Sequence, residues 1–258
     1  MSFSADDFLR AYPADKREFD SNFVLLSRVG RWCFYPSRWL MSLGVAANQV
    51  TYASYIAILA GGALLAMGSR VSMVLGVLAM LLYQLLDCVD GVIARHMQQR
   101  SAHGAYLDTM GSHVATALIW VGIAVGQLVH PDAWNPSFFG LGEKWVIACG
   151  FGAALFSSLA DVAAYVGELL ESERAELQSA ETSVGESGRT ARDKLLLVRN
   201  NVTSCGGIVL PLLLVAAAAG VSSLILFVYF WVHLLDALLQ ICRHAWRALR
   251  LDSARMKD

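Results

Sequence analysis

The sequence predicts an all-α integral membrane protein, with six transmembrane helices preceded by an N-terminal amphipathic helix in the membrane interface. Of the 258 residues, 56% are hydrophobic, and the mean hydropathy is +0.50. Several segments approach the roughly 20 apolar residues that a bilayer-spanning helix needs. The formal net charge of -1 gives no indication of a nucleic-acid partner. The five cysteines are scattered singly, so neither a disulfide framework nor a zinc site is expected.

The first expected element is the interfacial helix, within DSNFVLLSRVGRWCFYPSRWL at residues 20–40. Apolar residues recur there at helical spacing with arginines between them, and Pro36 is expected to end the run. The alternative is an ordinary amphipathic helix packed on the core. Six transmembrane helices should follow, because long apolar runs recur along the chain. They are expected at roughly 48–68, 71–95, 104–129, 145–169, 203–219 and 222–246.

The distribution of positive charge predicts the orientation. With six crossings, eighteen of the twenty Lys and Arg residues fall on one side, and only Arg70 and Lys144 fall on the other. By the positive-inside tendency, both termini are cytoplasmic, and the plasma membrane is the expected location. The chain would then divide into a cytoplasmic segment (1–44), a helical domain (45–246) with a polar cytoplasmic loop at about 171–199, and a cytoplasmic tail (247–258).

The second expected helix ends in LLDCVDGVIAR at residues 85–95. Asp87, Asp90, Gly91 and Ala94 stand at i, i+3, i+4 and i+7, so they share one helix face. One interpretation is a helix end that reaches water, but an ionisable group at membrane depth indicates a functional site by default. The third helix adds Gly104 and Asp108 at i and i+4, and a tight turn between the helices would bring the three carboxylates together.

These residue types favour phosphoryl-transfer chemistry. A carboxylate cluster at membrane depth needs a partner, and hard oxygen ligands select Mg²⁺, Mn²⁺ or Ca²⁺. The small residues Gly91, Ala94 and Gly104 leave room beside the backbone, and Arg95 offers a guanidinium fork for phosphate. A cation, a phosphate ligand and a slot beside the helix together indicate chemistry on a nucleotide.

The pattern Asp87-x-x-Asp90-Gly91-x-x-Ala94-Arg95, then eight residues, then Gly104-x-x-x-Asp108 resembles the signature of the CDP-alcohol phosphotransferases. The segment 48–51, Asn-Gln-Val-Thr, is similar to the N-x-x-T element of that family. The resemblance implies an enzyme that cleaves a CDP-linked alcohol, releases CMP and passes the phosphoryl-alcohol to an acceptor hydroxyl, in lipid or glycan biosynthesis. It also implies membrane lipids as partners and a possible homodimer.

The resemblance assigns roles to individual residues. It implies that Mg²⁺ or Mn²⁺ is held by three aspartates: Asp87, Asp90 and Asp108. It implies that the nucleotide is bound by six residues: Asn48, Thr51, Gly91, Ala94, Arg95 and Gly104. The catalytic candidates are His113, Asp108 and Ser112.

The sequence departs from the family signature at one position. The signature has a fourth aspartate four residues after Asp108, where this chain has Ser112, followed by His113. A neutral histidine can act as a general base at cytoplasmic pH, so His113 or a water would replace the carboxylate. Two alternatives stay open: activity with another partner group or a single metal, and an inactive protein that only binds CDP-lipids. A metal-dependent hydrolase, with water as acceptor, is a further alternative.

Polar residues in the last three helices have less specific interpretations. Asp161, with Ser157 and Ser158 nearby, would line an acceptor pocket or make an interhelical hydrogen bond. His233 and Asp236 are expected to pair structurally, with each other or with Asp161. Four basic residues of the polar loop are expected to bind lipid headgroups or an anionic acceptor: Arg189, Arg192, Lys194 and Arg199. Because polar groups gather at one membrane rim, transport is disfavoured.

Overall fold

A computed structural model describes residues 4–99, 101–132, 134, 142–178 and 191–255, and the described chain is helical without strands. The helices are α1 Ala5–Ala11, α2 Ala14–Ser21, α3 Leu26–Trp32, α4 Phe34–Ser42, α5 Ala47–Ala66, α6 Arg70–His96, α7 Ala102–Val129, α8 Glu143–Gln178, α9 Ala191–Thr203, α10 Val209–Ala219 and α11 Ser222–Arg255. The all-α prediction is therefore confirmed.

Five of these helices are long and apolar enough to cross a membrane. They are α5, α6, α7, residues Glu143–Gly167 of α8 and residues Ser222–Leu249 of α11. Their buried faces form one core around Trp120, Ile58 and Met80, whereas many large apolar side chains on the opposite faces are exposed. Apolar exposure on this scale is what lipid-facing helices need, and the protein is a multi-pass membrane protein.

The fifth expected transmembrane helix, at 203–219, is shorter than the sequence predicts. α9 ends at Thr203 and α10 begins only at Val209, because the Gly206-Gly207 pair has a low helix propensity and interrupts the helix. The 11 residues of α10 extend about 16 Å, less than the roughly 30 Å of a hydrocarbon core. Nevertheless, the Ala219 carbonyl at its far end accepts a hydrogen bond from Arg70, the first residue of α6.

The N-terminal segment forms four short helices, α1 to α4. The prediction that Pro36 ends the helical run is wrong, because Pro36 lies in the first turn of α4, where its missing N–H breaks no hydrogen bond. The exposed side chains of Trp32, Tyr35 and Trp39 follow one another at helical spacing across the α3–α4 junction. Exposed aromatic residues in this arrangement suit the membrane interface.

Close packing of α5 against α7 sets the geometry of the site. A Cβ added at Gly122 of α7 would lie 3.0 Å from the carbonyl oxygen of Gly62 on α5, so these backbones approach closely because the side chains are absent. Nearer the opposite end of the same pair, the Tyr55 hydroxyl donates to the Leu107 carbonyl at 2.8 Å. The start of α5 is thus held beside the start of α7.

Part of the polar loop expected at 171–199 is helical. α8 continues to Gln178, and α9 begins at Ala191. Arg189 lies outside the described residues, and the side chains of Arg192 and Lys194 are not described. The three-part division of the chain at residues 44 and 246 stays a prediction.

Candidate functional site

A cavity of about 320 Å³ lies where α6 ends and α7 begins, and we call it the first cavity. All nine residues to which the sequence assigns nucleotide or metal binding line it. They are Asn48, Thr51, Asp87, Asp90, Gly91, Ala94, Arg95, Gly104 and Asp108. The turn between α6 and α7 therefore brings the two halves of the motif together with the start of α5.

Thr51 connects α5 to the acidic face of α6. Its hydroxyl donates to the Asp90 carboxylate at 2.7 Å, and the side chain is buried. The backbone N–H of Ala46 donates to the Gln49 side chain at 3.0 Å, which fixes the first turn of α5, where Asn48 and Thr51 lie. One oxygen of Asp90 is thereby oriented by a neighbouring helix, as is typical of carboxylates that serve as metal ligands.

The third carboxylate, Asp108, is brought to the cavity by the start of α7. Ser101 caps this helix, and its hydroxyl accepts a hydrogen bond from the Gly104 N–H at 3.0 Å. Asp108 lies one turn after Gly104 and lines the same cavity as Asp87 and Asp90, so three carboxylates share it. Carboxylates this close repel one another unless a cation or a shared proton lies between them.

The donor set fits a hard divalent cation. Carboxylate oxygens are the ligands that Mg²⁺ and Mn²⁺ prefer, and three of them line one cavity. Within the described ranges, no three His, Cys, Asp or Glu side chains converge closely enough to form a ready three-ligand centre. The chemistry of the three carboxylates that line this cavity fits such a cation.

Arg95 lies at the end of α6 beside Gly91. A Cβ added at Gly91 would come within 3.2 Å of the Arg95 guanidinium, so glycine leaves the space that the guanidinium occupies. The Nε of Arg95 donates to the carbonyl of Ala11 at the end of α1. The arginine therefore contacts both the motif helix and the N-terminal segment.

The N-terminal helices contribute residues that the motif reasoning missed. Tyr12, Lys16 and Asp20 also line the first cavity. The Tyr12 hydroxyl donates to Asp20 at 2.7 Å, and the Lys16 ammonium lies 3.0 Å from the other Asp20 oxygen. Burial and this hydrogen bond raise the pKa of Tyr12, which therefore remains a neutral donor. The signal in the sequence was weak, because a Lys16–Asp20 pair at i, i+4 is common on any helix surface.

A second cavity, of about 410 Å³, adjoins the first. Asp87, Gln84 and Leu26 line both cavities, so the Asp87 carboxylate stands between them. Ser112 lines the second cavity and not the first. Ser112, where the family signature has an aspartate, therefore lies on the side of Asp87 that faces away from the first cavity.

His113 lies beside α8 instead of the first cavity. Its Nδ1 is 3.5 Å from the Asp161 carboxylate, which lines the second cavity. His113 itself is not among the described residues that line either cavity. The imidazole stands at the rim of the second cavity, held by a carboxylate partner that the sequence reasoning did not assign to it.

The expected pairing of His233 with Asp236 is wrong. Asp236 binds Arg199 through two hydrogen bonds, of 2.6 Å from Nε and 3.0 Å from NH2. A guanidinium is the better partner because it presents two parallel donors to the two carboxylate oxygens. The expectation that Arg199 binds lipid headgroups or an anionic acceptor is corrected by the same contact. His233 makes no hydrogen bond through either ring nitrogen.

A comparison with protein families decides the assignment. The model of the CDP-alcohol phosphatidyltransferase family matches residues 44–184, which is more than half of the chain. The chain belongs to this family. No curated protein matches the chain. The matched range contains α5, α6, α7 and all of α8, and hence every motif residue of the first cavity, whereas α9 to α11 follow it.

Proposed function

We propose that the protein transfers a phosphoryl-alcohol group from a CDP-linked alcohol to an acceptor hydroxyl and releases CMP, with Mg²⁺ or Mn²⁺ as cofactor. Family membership supports the general transferase reaction. One observation supports the specific site: the nine residues of the signature come from three helices and line one cavity.

In this proposal the first cavity binds the CDP moiety. Asp87, Asp90 and Asp108 would hold the cation, which would supply positive charge for the diphosphate of the donor. Arg95 and Lys16 supply further positive charge to the phosphates from two sides of the cavity. The small residues Gly91 and Gly104 let the nucleotide approach the helix backbones, and Thr51 orients Asp90.

The second cavity binds the acceptor alcohol, and His113 acts as its general base. The acceptor hydroxyl loses its proton to His113, and its oxygen attacks the phosphorus that carries the donor alcohol. The bond from this phosphorus to the bridging oxygen breaks, and CMP leaves with that oxygen. The Asp161 carboxylate, 3.5 Å from Nδ1, orients the imidazole and stabilises its charged form. Ser112 is a hydrogen-bonding group of the same cavity.

We place the first cavity and both termini on the cytoplasmic side of the plasma membrane, because eighteen of the twenty Lys and Arg residues fall on that side under a six-helix topology. Cytidine nucleotides are then directly available to the site. The exposed lipid-facing helices also allow a homodimer, which is part of the proposal.

The test is CMP release by the purified protein in detergent. CDP-diacylglycerol and soluble CDP-alcohols are offered with Mg²⁺, Mn²⁺ or EDTA, and with or without acceptor mixtures. The proposal predicts CMP release that requires both metal and acceptor and that disappears in Asp87→Asn. The matched control is Asp15→Asn, an exposed carboxylate on α2. Release without acceptor would identify a hydrolase, and bound nucleotide without release would identify an inactive binding protein. Either outcome contradicts the proposal.

A further inference from the structure

Most of the residues that line the second cavity have polar side chains. Its hydroxyl, amide, imidazole and carboxylate groups come from several helices and from the chain between α9 and α10. The hydroxyls of Ser112, Thr116 and Ser157 donate to carbonyls of their own helices, so their oxygens stay available as acceptors. A lining of this kind suits a hydrophilic molecule and does not suit the acyl chains of a lipid.

Two polar side chains in this lining have no hydrogen-bond partner in the described protein. His233 is 1% exposed, and neither of its ring nitrogens is bonded. The Ser204 hydroxyl is also buried and unbonded. Trp120 and Tyr229 pack on the His233 ring at centroid distances of 5.4 and 5.8 Å, so the imidazole is held by aromatic contacts alone.

An unsatisfied buried polar group costs about 1–3 kcal/mol, and such groups in proteins call for an explanation. Phenylalanine would fill the same aromatic environment at position 233 without this cost. A cavity of about 410 Å³ holds several waters, and bound hydroxyl groups of a ligand can replace them. The arrangement therefore indicates that the imidazole is retained for something that enters the cavity.

The charges of the cavity restrict what enters. Its charged lining residues among those described are three aspartates: Asp87, Asp161 and Asp236. Arg199 contacts this lining, and its Nε and NH2 groups donate to the two carboxylate oxygens of Asp236. Among the described residues, an anionic acceptor would meet carboxylates here and a guanidinium that Asp236 already binds.

We propose that His233 and Ser204 are specificity-determining residues that bind the acceptor by hydrogen bonds, and that the acceptor is a small hydrophilic alcohol without negative charge. This inference rests on the proposed function. It places the lipid on the CDP side of the reaction, because diacylglycerol does not match the polar lining, and it disfavours a polyol phosphate as acceptor.

The first arm of the test is a panel of acceptors, with CDP-diacylglycerol as donor. It compares uncharged polyols and amino alcohols with polyol phosphates and with diacylglycerol supplied beside a soluble CDP-alcohol. The inference predicts the highest kcat/KM for an acceptor of the first two classes. A polyol phosphate or diacylglycerol as the preferred acceptor would overturn it.

The second arm compares His233→Phe with Tyr229→Phe, a buried aromatic neighbour that does not line the cavity. His233→Phe should raise the acceptor KM about 10-fold or more, since an acceptor hydroxyl loses its partner, and should leave the donor KM and CMP affinity unchanged. His233→Gln should recover part of the loss, and Tyr229→Phe should behave as the wild type.

The outcomes separate this inference from the proposed function. A wild-type protein that releases no CMP with any pair of substrates defeats the proposed function. An active wild type whose acceptor KM is unchanged in His233→Phe defeats only the inference. If size-exclusion chromatography and CMP binding show that His233→Phe does not fold, the acceptor KM of Ser204→Ala tests the inference in its place. An acceptor KM raised in Ser204→Ala supports the inference, and an unchanged one overturns it.

Discussion

The two cavities on either side of Asp87 differ in how their lining residues are distributed along the sequence. The first is built largely from short-range patterns on α5, α6 and α7, in which a motif residue has its partner three or four positions away. The second is built from side chains far apart in the chain, such as Ser112, Asp161, Ser204 and His233. The residues of the family signature are thus held by a compact motif, while the second cavity is assembled by the packing of residues far apart in the chain.

The hydrogen-bond partners of the carboxylates differ in whether a sequence motif contains them. In the first cavity Asp90 is bonded by Thr51, the residue that ends the N-x-x-T element. In the second, Asp236 is bonded by Arg199, which belongs to no motif. Both pairs join different helices, at separations of 39 and 37 positions. Neither His113–Asp161 nor Arg199–Asp236 follows from spacing, because each pair joins two helices whose relative rotation the sequence does not specify.

The largest effect is expected at His113. His113→Ala should lower kcat by about 100-fold or more, because general-base catalysis contributes on the order of 10²–10⁴. CMP affinity should not change, since His113 does not line the first cavity. His103→Ala, at the exposed start of α7, is the matched control. Adding Ser112→Asp to His113→Ala should restore part of the activity by supplying a carboxylate as in the family signature. A wild-type kcat in His113→Ala would show that His113 is not the general base.

Arg199→Ala should destabilise the protein by about 2 kcal/mol, because it leaves the buried Asp236 carboxylate without its guanidinium partner. Thermal unfolding in detergent measures this effect. The double variant Arg199→Ala/Asp236→Ala should be more stable than Arg199→Ala alone, since no unpaired charge remains. CMP affinity at low temperature should be unaffected, and a parallel loss of CMP binding would show that the two cavities are not independent.

Thr51→Val should raise the metal concentration needed for half-maximal activity by about 10-fold. The change keeps the shape of the side chain and removes the 2.7 Å hydrogen bond that orients Asp90. Ser54→Ala is the matched control, because Ser54 lies one turn after Thr51 on α5 and its hydroxyl donates to the backbone carbonyl of Thr51. An identical metal requirement in Thr51→Val and the wild type would argue against Asp90 as a ligand.

The smallest effect is expected at Lys16. Lys16→Ala should raise the donor KM about threefold, because the side chain is 41% exposed and its charge is screened. Arg17→Ala, on the exposed face of the same helix, controls for the change in net charge. Steady-state kinetics at two salt concentrations measure the effect, which should shrink at high salt. A change equal to that of Arg17→Ala would exclude a specific role of Lys16 at the phosphates.

The sequence predicted the fold class and nine of the residues that line the first cavity, because apolar run length and helix-face spacing are local properties. It overestimated the helix at 203–219, since apolar composition continues through a segment where Gly206 and Gly207 interrupt the helix. It also missed Lys16 and Asp20. Their place at the cavity depends on how the N-terminal helices fold back onto α6, which is a tertiary contact with no motif of its own.

The most direct test of the central claim is CMP binding, because the proposed function places CMP in the first cavity whichever alcohols the enzyme uses. Equilibrium dialysis of radiolabelled CMP against the detergent-solubilised protein, with Mn²⁺ or with EDTA, compares the wild type with Asp87→Asn. The account predicts binding that requires Mn²⁺ and is lost in Asp87→Asn. CMP binding that persists in EDTA, or that Asp87→Asn leaves intact, would contradict it.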